Sequence, residues 1–229
     1  MGSNVPEGKP GFRILPGGRR VAPEVVSRFQ GLASANVADA MGRFNFMDAG
    51  IRSRTGRPMA GPALTVVCRP GDNLMLHKAL AMAAPGDVVV VATGGNVTSA
   101  VFGELMGRSA AAAAIGGLVV DGAVRDVEAL TELRFPVFSR SVCPGGCDKD
   151  GPGEINVPVA CGGAAVLPGD IVVGDADGVA VVPQGDADAV LAAVAAIAAR
   201  ERARIDEIRS GTLFRADVDD LLRRKGVIE

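Results

Sequence analysis

The chain has 229 residues, with 24 basic and 26 acidic side chains mixed along its length, a net charge of −2, and neither Trp nor Tyr. With no basic face and no stacking platform, nucleic acid is not an expected partner. Apolar residues make up 48% and aromatics 3%, so the expectation is one sizeable domain with a core of Ala, Val, Leu, Ile and Met.

The first 22 residues are rich in Gly, Pro and Arg and read as an extended arm. Such an arm often lies on a neighbouring subunit. The remainder, residues 23–229, reads as the domain. The opening MGSNVPEGKPGF has no apolar run of the secretory kind, and no stretch approaches the ~20 apolar residues of a membrane span. A cytoplasmic protein without membrane contact is expected. The four cysteines, Cys68, Cys143, Cys147 and Cys161, fit no zinc spacing and read as reduced thiols.

Pro23 opens a short helix. Ser34 reads as the N-cap of a helix over 35–41 that Gly42 stops. Residues 42–58 read as loop. Residues 63–68 form a β-rich run ended by Pro70-Gly71. Asp72 or Asn73 caps a helix from Leu74 to Ala83, and Pro85-Gly86-Asp87 turns the chain into an apolar strand over 88–91. Gly94-Gly95 reads as a glycine-rich loop leading to a helix that starts near Gly103. A strand over 118–120 follows, then a helix over 127–133 and a strand over 136–138. Residues 142–154 (VCPGGCDKDGPGE) form a long polar loop, which is functional or mobile. Strands follow near 156–161, 164–166, 171–173 and 178–182. A long Ala-rich helix spans 187–210 with Gly211 as its cap, and a last helix spans 216–225. Alternating strands and helices, then a run of strands, give the fold class: a single α/β domain with a mixed central sheet.

Two features carry chemistry. A helix that begins near Gly103 leaves the backbone N–H groups of Gly103, Glu104, Leu105 and Met106 without intrahelical partners, at the positive end of the dipole. Such an end takes a carboxylate or phosphate. The plain alternative is a turn at Gly94-Gly95 with Thr98 or Ser99 capping the helix. The spacing matches neither dinucleotide nor P-loop patterns, so a nucleotide cofactor is not expected. The second feature is Arg125-Asp126, at the carboxyl end of an apolar strand, where open α/β sheets bind ligands. Arg can fork onto a carboxylate or polarise a carbonyl, and Asp is a hard oxygen ligand for Mg²⁺ or Mn²⁺. The plain alternative is an Asp cap beside a solvated Arg. Glu104 could be folded back beside Asp126. Asp121 and Glu128 also lie near in sequence. His77, the single histidine, reads as a packed or surface side chain and rules against a Ser-His-Asp or Cys-His enzyme.

Gly103-Glu104-Leu105-Met106, a twenty-residue gap and Asp121-Gly122-Ala123-Val124-Arg125-Asp126 resemble the RraA-like family, which includes the class II 4-hydroxy-4-methyl-2-oxoglutarate / 4-carboxy-4-hydroxy-2-oxoadipate aldolases. Ser34-x-x-Val37-Ala38-Asp39-Ala40-Met41-Gly42, Gly151-Pro152-Gly153-Glu154-Ile155-Asn156 and Pro168-Gly169-Asp170 through Gly178-Val179 also fit, so the resemblance covers roughly residues 23–210. It implies an α/β/α sandwich assembled as homotrimers or homohexamers with sites between subunits. It implies divalent-metal-dependent cleavage of a 4-hydroxy-2-oxo di- or tricarboxylate to pyruvate and a second keto acid, with oxaloacetate decarboxylation as a side activity. The keto-acid carboxylate would sit on the Gly103–Met106 amides, Arg125 would contact the keto acid, and Asp126 would hold Mg²⁺ or Mn²⁺, mostly through waters; in the retro-aldol reading a metal-bound water positioned by Glu104 would take the C4 hydroxyl proton. Two positions depart from the aldolase pattern: Glu104, typically Asp, and Ala129, typically acidic. In some members a neighbouring subunit's C-terminal Glu serves the site, and Glu201 or Glu207 would be its counterpart here. The other activity the resemblance allows is a non-catalytic regulator that binds a ribonuclease.

Overall fold

The computed structural model describes residues 8–18, 20–215 and 217–229. Residues 1–7 and Arg19 of the expected arm, and Ala216 of the expected last helix, lie outside the described residues.

The domain is built on one mixed sheet. Its backbone is β2 (Met59–Cys68) beside β3 (Val88–Phe102), β4 (Gly117–Val124) and β5 (Val137–Val142), all parallel, with the two-residue β1 (Arg52–Ser53) antiparallel on the outer edge of β5. Beyond β2 the sheet turns antiparallel. The first half of β2 pairs with β9 (Ile171–Gly174), which pairs with β10 (Val179–Val182), and its second half pairs with β6 (Gly153–Ile155). β7 (Val159–Cys161) and β8 (Ala164–Val166) form a small hairpin. Splitting the pairing of β2 between two partners rolls the sheet into a nearly closed form.

The rolled sheet has three apolar clusters. Inside it, Phe138, Val90, Val119, Val172 and Val181 meet Val159 and Val166 of the hairpin. On one outer face lie α3 (Leu74–Met82), α4 (Glu104–Ala112) and α5 (Val127–Glu132), burying Leu76 and Leu130 against Leu118 and Val120. On the other lie α1 (Pro23–Ser27), α2 (Ser34–Ala40) and α6 (Ala187–Arg209), packed on Ile171, Ala180 and Val182. Because Val88–Val91 of β3 and Leu118–Val120 of β4 are covered on both faces, they read as unbroken apolar runs rather than alternating ones. The mixed-sheet α/β fold expected from the sequence is the one observed.

Several local expectations change. Ser34 is the first residue of α2 rather than its cap. Its backbone N–H and hydroxyl donate to the Asp175 carboxylate at 2.8 and 2.6 Å, tying α2 to the β9–β10 turn. Gly94-Gly95 does not end the strand. Both adopt positive φ, and β3 makes a bulged excursion in which Ala92 and Phe102 pair with Asp121 and Val124. Eleven residues of β3 therefore span the height of four on β4, a distortion the glycines permit. Within the excursion Asn96 Oδ1 accepts from the amides of Thr98 and Ser99. Neither Thr98 nor Ser99 therefore caps α4. The described part of the arm runs along its own chain: Ile14 bridges Ile155, and the Gly11 amide donates to Glu154 at 2.8 Å. All four cysteines are free thiols.

Candidate active site

The excursion of β3 and the end of β4 deliver the two expected features to one place. β3 ends at Phe102, Gly103 follows in extended geometry, and α4 starts at Glu104. On the next strand β4 ends at Val124, and the Arg125 amide donates to Phe102 O at 2.9 Å. That bond sets Arg125-Asp126 directly beside the start of α4. Asp126 adopts a left-handed conformation, φ 57° and ψ 40°, which Asp tolerates better than most side chains.

Gly103, Glu104, Leu105, Met106, Arg125 and Asp126 all line one cleft of about 360 Å³. Asp126 Oδ2 accepts from the Glu104 amide at 3.0 Å and lies 3.5 Å from Arg125 Nε. One of the four N-terminal amides is thus occupied by Asp126. The Leu105 and Met106 amides have no acceptor among the described residues. The Glu104 carboxylate is paired with Arg108 one turn along α4, Nε to Oε1 at 2.8 Å.

The remaining walls come from segments whose part in the site the sequence did not announce. Asn73 and His77 enter from α3 and its cap, and Gly146, Cys147 and Lys149 from the 142–154 loop. That loop is pinned rather than loose. The Ala100 amide donates to Gly145 O at 2.7 Å, and the Asn73 amide to Asp148 O at 3.0 Å. Burial, then the Lys149 charge, hold the His77 imidazole below its ordinary pKa. Burial also raises the Cys147 thiol. Only the polar loop composition and the lone histidine signalled these residues in the sequence.

Asp72 carries the junction between α3 and the loop. Its Oδ1 accepts from the Leu74 amide at 2.9 Å, and its Oδ2 from those of Asp150 and Gly151 at 2.6 and 2.8 Å. Burial alone would raise this carboxyl, but the three amides and Arg69 outweigh it and hold it below the ordinary range. A depressed native pKa stabilises the fold above the unfolded value and loses that contribution as pH falls through the native one. Asp72→Asn is therefore expected to lower stability at pH 7 by about 1–3 kcal/mol, the cost of a buried donor left unmatched. The deficit should shrink at pH 3, and urea unfolding at the two pH values checks it.

Asp121 and Glu128 do not line the cleft. Asp121 is held elsewhere, by Arg140 at 2.5 Å and the Gly162 amide at 3.1 Å, and Arg140 also grips Asp48 at 2.8 Å. Glu201 accepts from Asn36 at 2.8 Å, and Glu207 is paired with Arg204 at 2.8 Å. Among the described residues no three His, Cys, Asp or Glu side chains group closely enough to cage a metal. Within the cleft Asp126 has Oδ1 free of partners among the described residues. One free carboxylate oxygen suits a hard cation that keeps several waters, as Mg²⁺ does.

Residues 34–181 match the family described as RraA-like, Aldolase/RraA. The chain belongs to this family. A relative from Halalkalibacterium halodurans, named "Putative 4-hydroxy-4-methyl-2-oxoglutarate aldolase", is 38% identical over 190 residues, covering 81% of this chain and 90% of the relative. A solved structure of an uncharacterized protein from Pseudomonas syringae pv. tomato superposes with a TM-score of 0.76 at 29% identity, covering 85% of this chain and 96% of that one. The RNA-processing inhibitor RraA from Thermus thermophilis superposes with a TM-score of 0.62 at 31% identity, covering 66% and 92%. The chain is thus similar in sequence to a protein named for aldol cleavage and in structure to one named for inhibition of RNA processing. Among the described residues of this member no helix is long and apolar enough to cross a membrane.

Proposed function

We propose that this RraA-like protein is a divalent-metal-dependent aldolase. It cleaves a 4-hydroxy-2-oxo di- or tricarboxylate to pyruvate and a second keto acid, and decarboxylates oxaloacetate as a side activity. The observation that carries the reading is the convergence of Arg125, Asp126 and the open end of α4 in one cleft. The Leu105 and Met106 amides bind the C1 carboxylate, aided by the helix dipole. The Arg125 guanidinium donates to the C2 oxygen, where negative charge develops. Glu104, turned from Arg108 into the cleft, takes the proton of the C4 hydroxyl. The C3–C4 bond breaks, C4 becomes the carbonyl of the leaving keto acid, and the electron pair moves through C3 onto the C2 oxygen. Return of the proton to C3 completes pyruvate. Asp126 would hold Mg²⁺ or Mn²⁺, which would supply Lewis-acid stabilisation of negative charge on the keto acid. Oxaloacetate enters the scheme at the C3–C4 cleavage, losing CO₂ instead of a keto acid. In a homotrimer or homohexamer the open side of the cleft would face a neighbouring subunit.

The likeness to the Thermus inhibitor favours a second reading, a non-catalytic regulator of an RNA-degrading enzyme. Pyruvate release from 4-hydroxy-4-methyl-2-oxoglutarate, assayed with and without EDTA, separates the two. Release that stops with EDTA and returns with Mg²⁺ is expected. Release indifferent to EDTA overturns the metal, and no release under any condition, with a stable complex on the ribonuclease, favours the regulator.

A further inference from the structure

We propose that the outer edge of the sheet at β1 docks an extended acidic segment of a partner protein. The charges that are mixed along the sequence are gathered here by the fold. Arg52 pairs with Ser139 of β5, and the Arg54 guanidinium donates to the Ser139 hydroxyl and carbonyl at 2.8 and 2.7 Å. The Arg54 amide donates to Val137 O at 2.8 Å, and the Thr55 hydroxyl to Phe135 O at 2.9 Å. These bonds bring Arg57, just beyond Thr55, and Arg134, just before Phe135, to the same corner. None of the four guanidinium groups is in an ion pair among the described residues. Glu132 is exposed close by in the chain and pairs with none of them. Burial, then the Arg52 charge, hold the Arg54 guanidinium below its ordinary pKa, as like charges without compensation do. A carboxylate seated among them relieves that repulsion and fits the guanidinium fork.

The surroundings of the arginines say which anion fits. Among the described residues no large exposed apolar side chain lies at 51–58 or 131–137. The corner therefore lacks the apolar anchor of a lipid-binding surface, and it offers no exposed ring for a nucleic-acid base to stack on. What it offers is a free strand edge. β1 ends the sheet and pairs with β5 on one side alone. Arg52 and Arg54 turn their backbone groups toward β5, so Ser53 between them turns its N–H and C=O outward. An extended peptide pairs with such an edge through its own backbone, and its alternate side chains then lie along the arginines. The arginines keep donors for it. Of five N–H groups each, Arg52 uses its Nε on Ala49 O, and Arg54 its Nε and one Nη2 on Ser139. The inference is independent of the aldolase reading, because none of these residues lines the cleft.

Fluorescence anisotropy on the full chain tests it, with a labelled peptide of alternating Glu and Thr as the probe. Binding that weakens as salt rises is expected. A uridine oligomer and phosphatidylserine vesicles should displace the probe far less well than the unlabelled peptide does. A peptide with Pro in place of Thr keeps the charges but loses the strand donors, so it should bind several-fold more weakly. Arg57→Glu with Arg134→Glu should weaken binding about tenfold, the worth of two exposed ion pairs. Both side chains lie outside the bonds that hold Arg52 and Arg54. The same double variant should gain affinity for a peptide of alternating Lys and Thr, which local unfolding would not produce. The proposal is overturned by a probe that does not bind, by an oligomer or vesicle that displaces it better than the peptide, by equal binding of the Pro peptide, or by a double variant that binds the probe unchanged.

Discussion

Asp126→Asn is expected to abolish aldol cleavage while leaving the fold intact. The carboxylate has two separable duties. Oδ2 accepts from the Glu104 amide at 3.0 Å and so closes one open group at the start of α4. Oδ1 has no partner among the described residues and, in the proposed mechanism, would hold the metal. Asn keeps an oxygen acceptor for the amide, and it tolerates the left-handed φ of 57° as readily as Asp. The negative charge goes, and with it the ligand that a hard cation prefers. Activity should therefore fall by at least ~10³-fold, the scale on which preorganised stabilisation of an oxyanion is lost. Thermal unfolding should barely move. Asp126→Ala is a harsher test, since it also removes the acceptor at the helix start, at about 1 kcal/mol. Arg125→Lys should leave the fold unchanged and lower kcat/KM by ~10²-fold, because a point charge does not reproduce the guanidinium fork. Full activity in Asp126→Asn would sink the metal role.

The site was legible in the sequence to the extent that it is local. α4 after a glycine, and Arg-Asp after an apolar strand, are each coded within a few residues, and adjacent parallel strands must place them side by side. What the sequence hid was carried by topology. His77 on α3 and Lys149 in the 142–154 loop reach the same cleft because the Asp72 carboxylate binds the two segments together, and no periodicity encodes that bond. Gly94-Gly95 misled because a glycine pair with positive φ serves a turn and a bulge equally well; the register of β3 against β4 decides between them. Ser34 misled for a related reason. Its hydroxyl has the chemistry of a cap, but Asp175, 141 residues away, offers a charged acceptor, and a charge-assisted bond is stronger than a neutral one. Splitting β2 between β9 and β6 closes the sheet, and a ten-residue apolar run carries no mark of where its partner changes.

Gly103→Ala should damage catalysis at a cost in stability of no more than about 1 kcal/mol, the worth of the Asp126 acceptor at the start of α4, and Gly61→Ala should do the reverse. Gly103 has φ −158°, which any residue adopts, so the added methyl brings no backbone strain. Its position is the difficulty. A Cβ there would stand 2.5 Å from Asp126 Oδ2 and 2.9 Å from Arg125 Cγ. Both neighbours are side chains with room to move, 41% and 47% exposed, so the conflict is relieved by displacing the two groups that the chemistry needs. A shift on the order of 1 Å costs ~10²-fold in rate, and kcat/KM for aldol cleavage should fall by about that factor. At Gly61 a Cβ would stand 2.2 Å from the carbonyl oxygen of Gly86. That obstacle is backbone, fixed in the turn before β3, and Gly61 is itself paired to Val172 of β9. Strand and turn must part, at about 1–3 kcal/mol, and the melting temperature should drop by several degrees with the cleft unaltered. The decisive measurement is a double variant. In an Asp126→Asn background the charge that Gly103→Ala displaces has already gone, so the two losses should fall well short of adding, as they do for groups that act as one unit. Fully additive losses would show that Gly103 acts elsewhere than through Asp126.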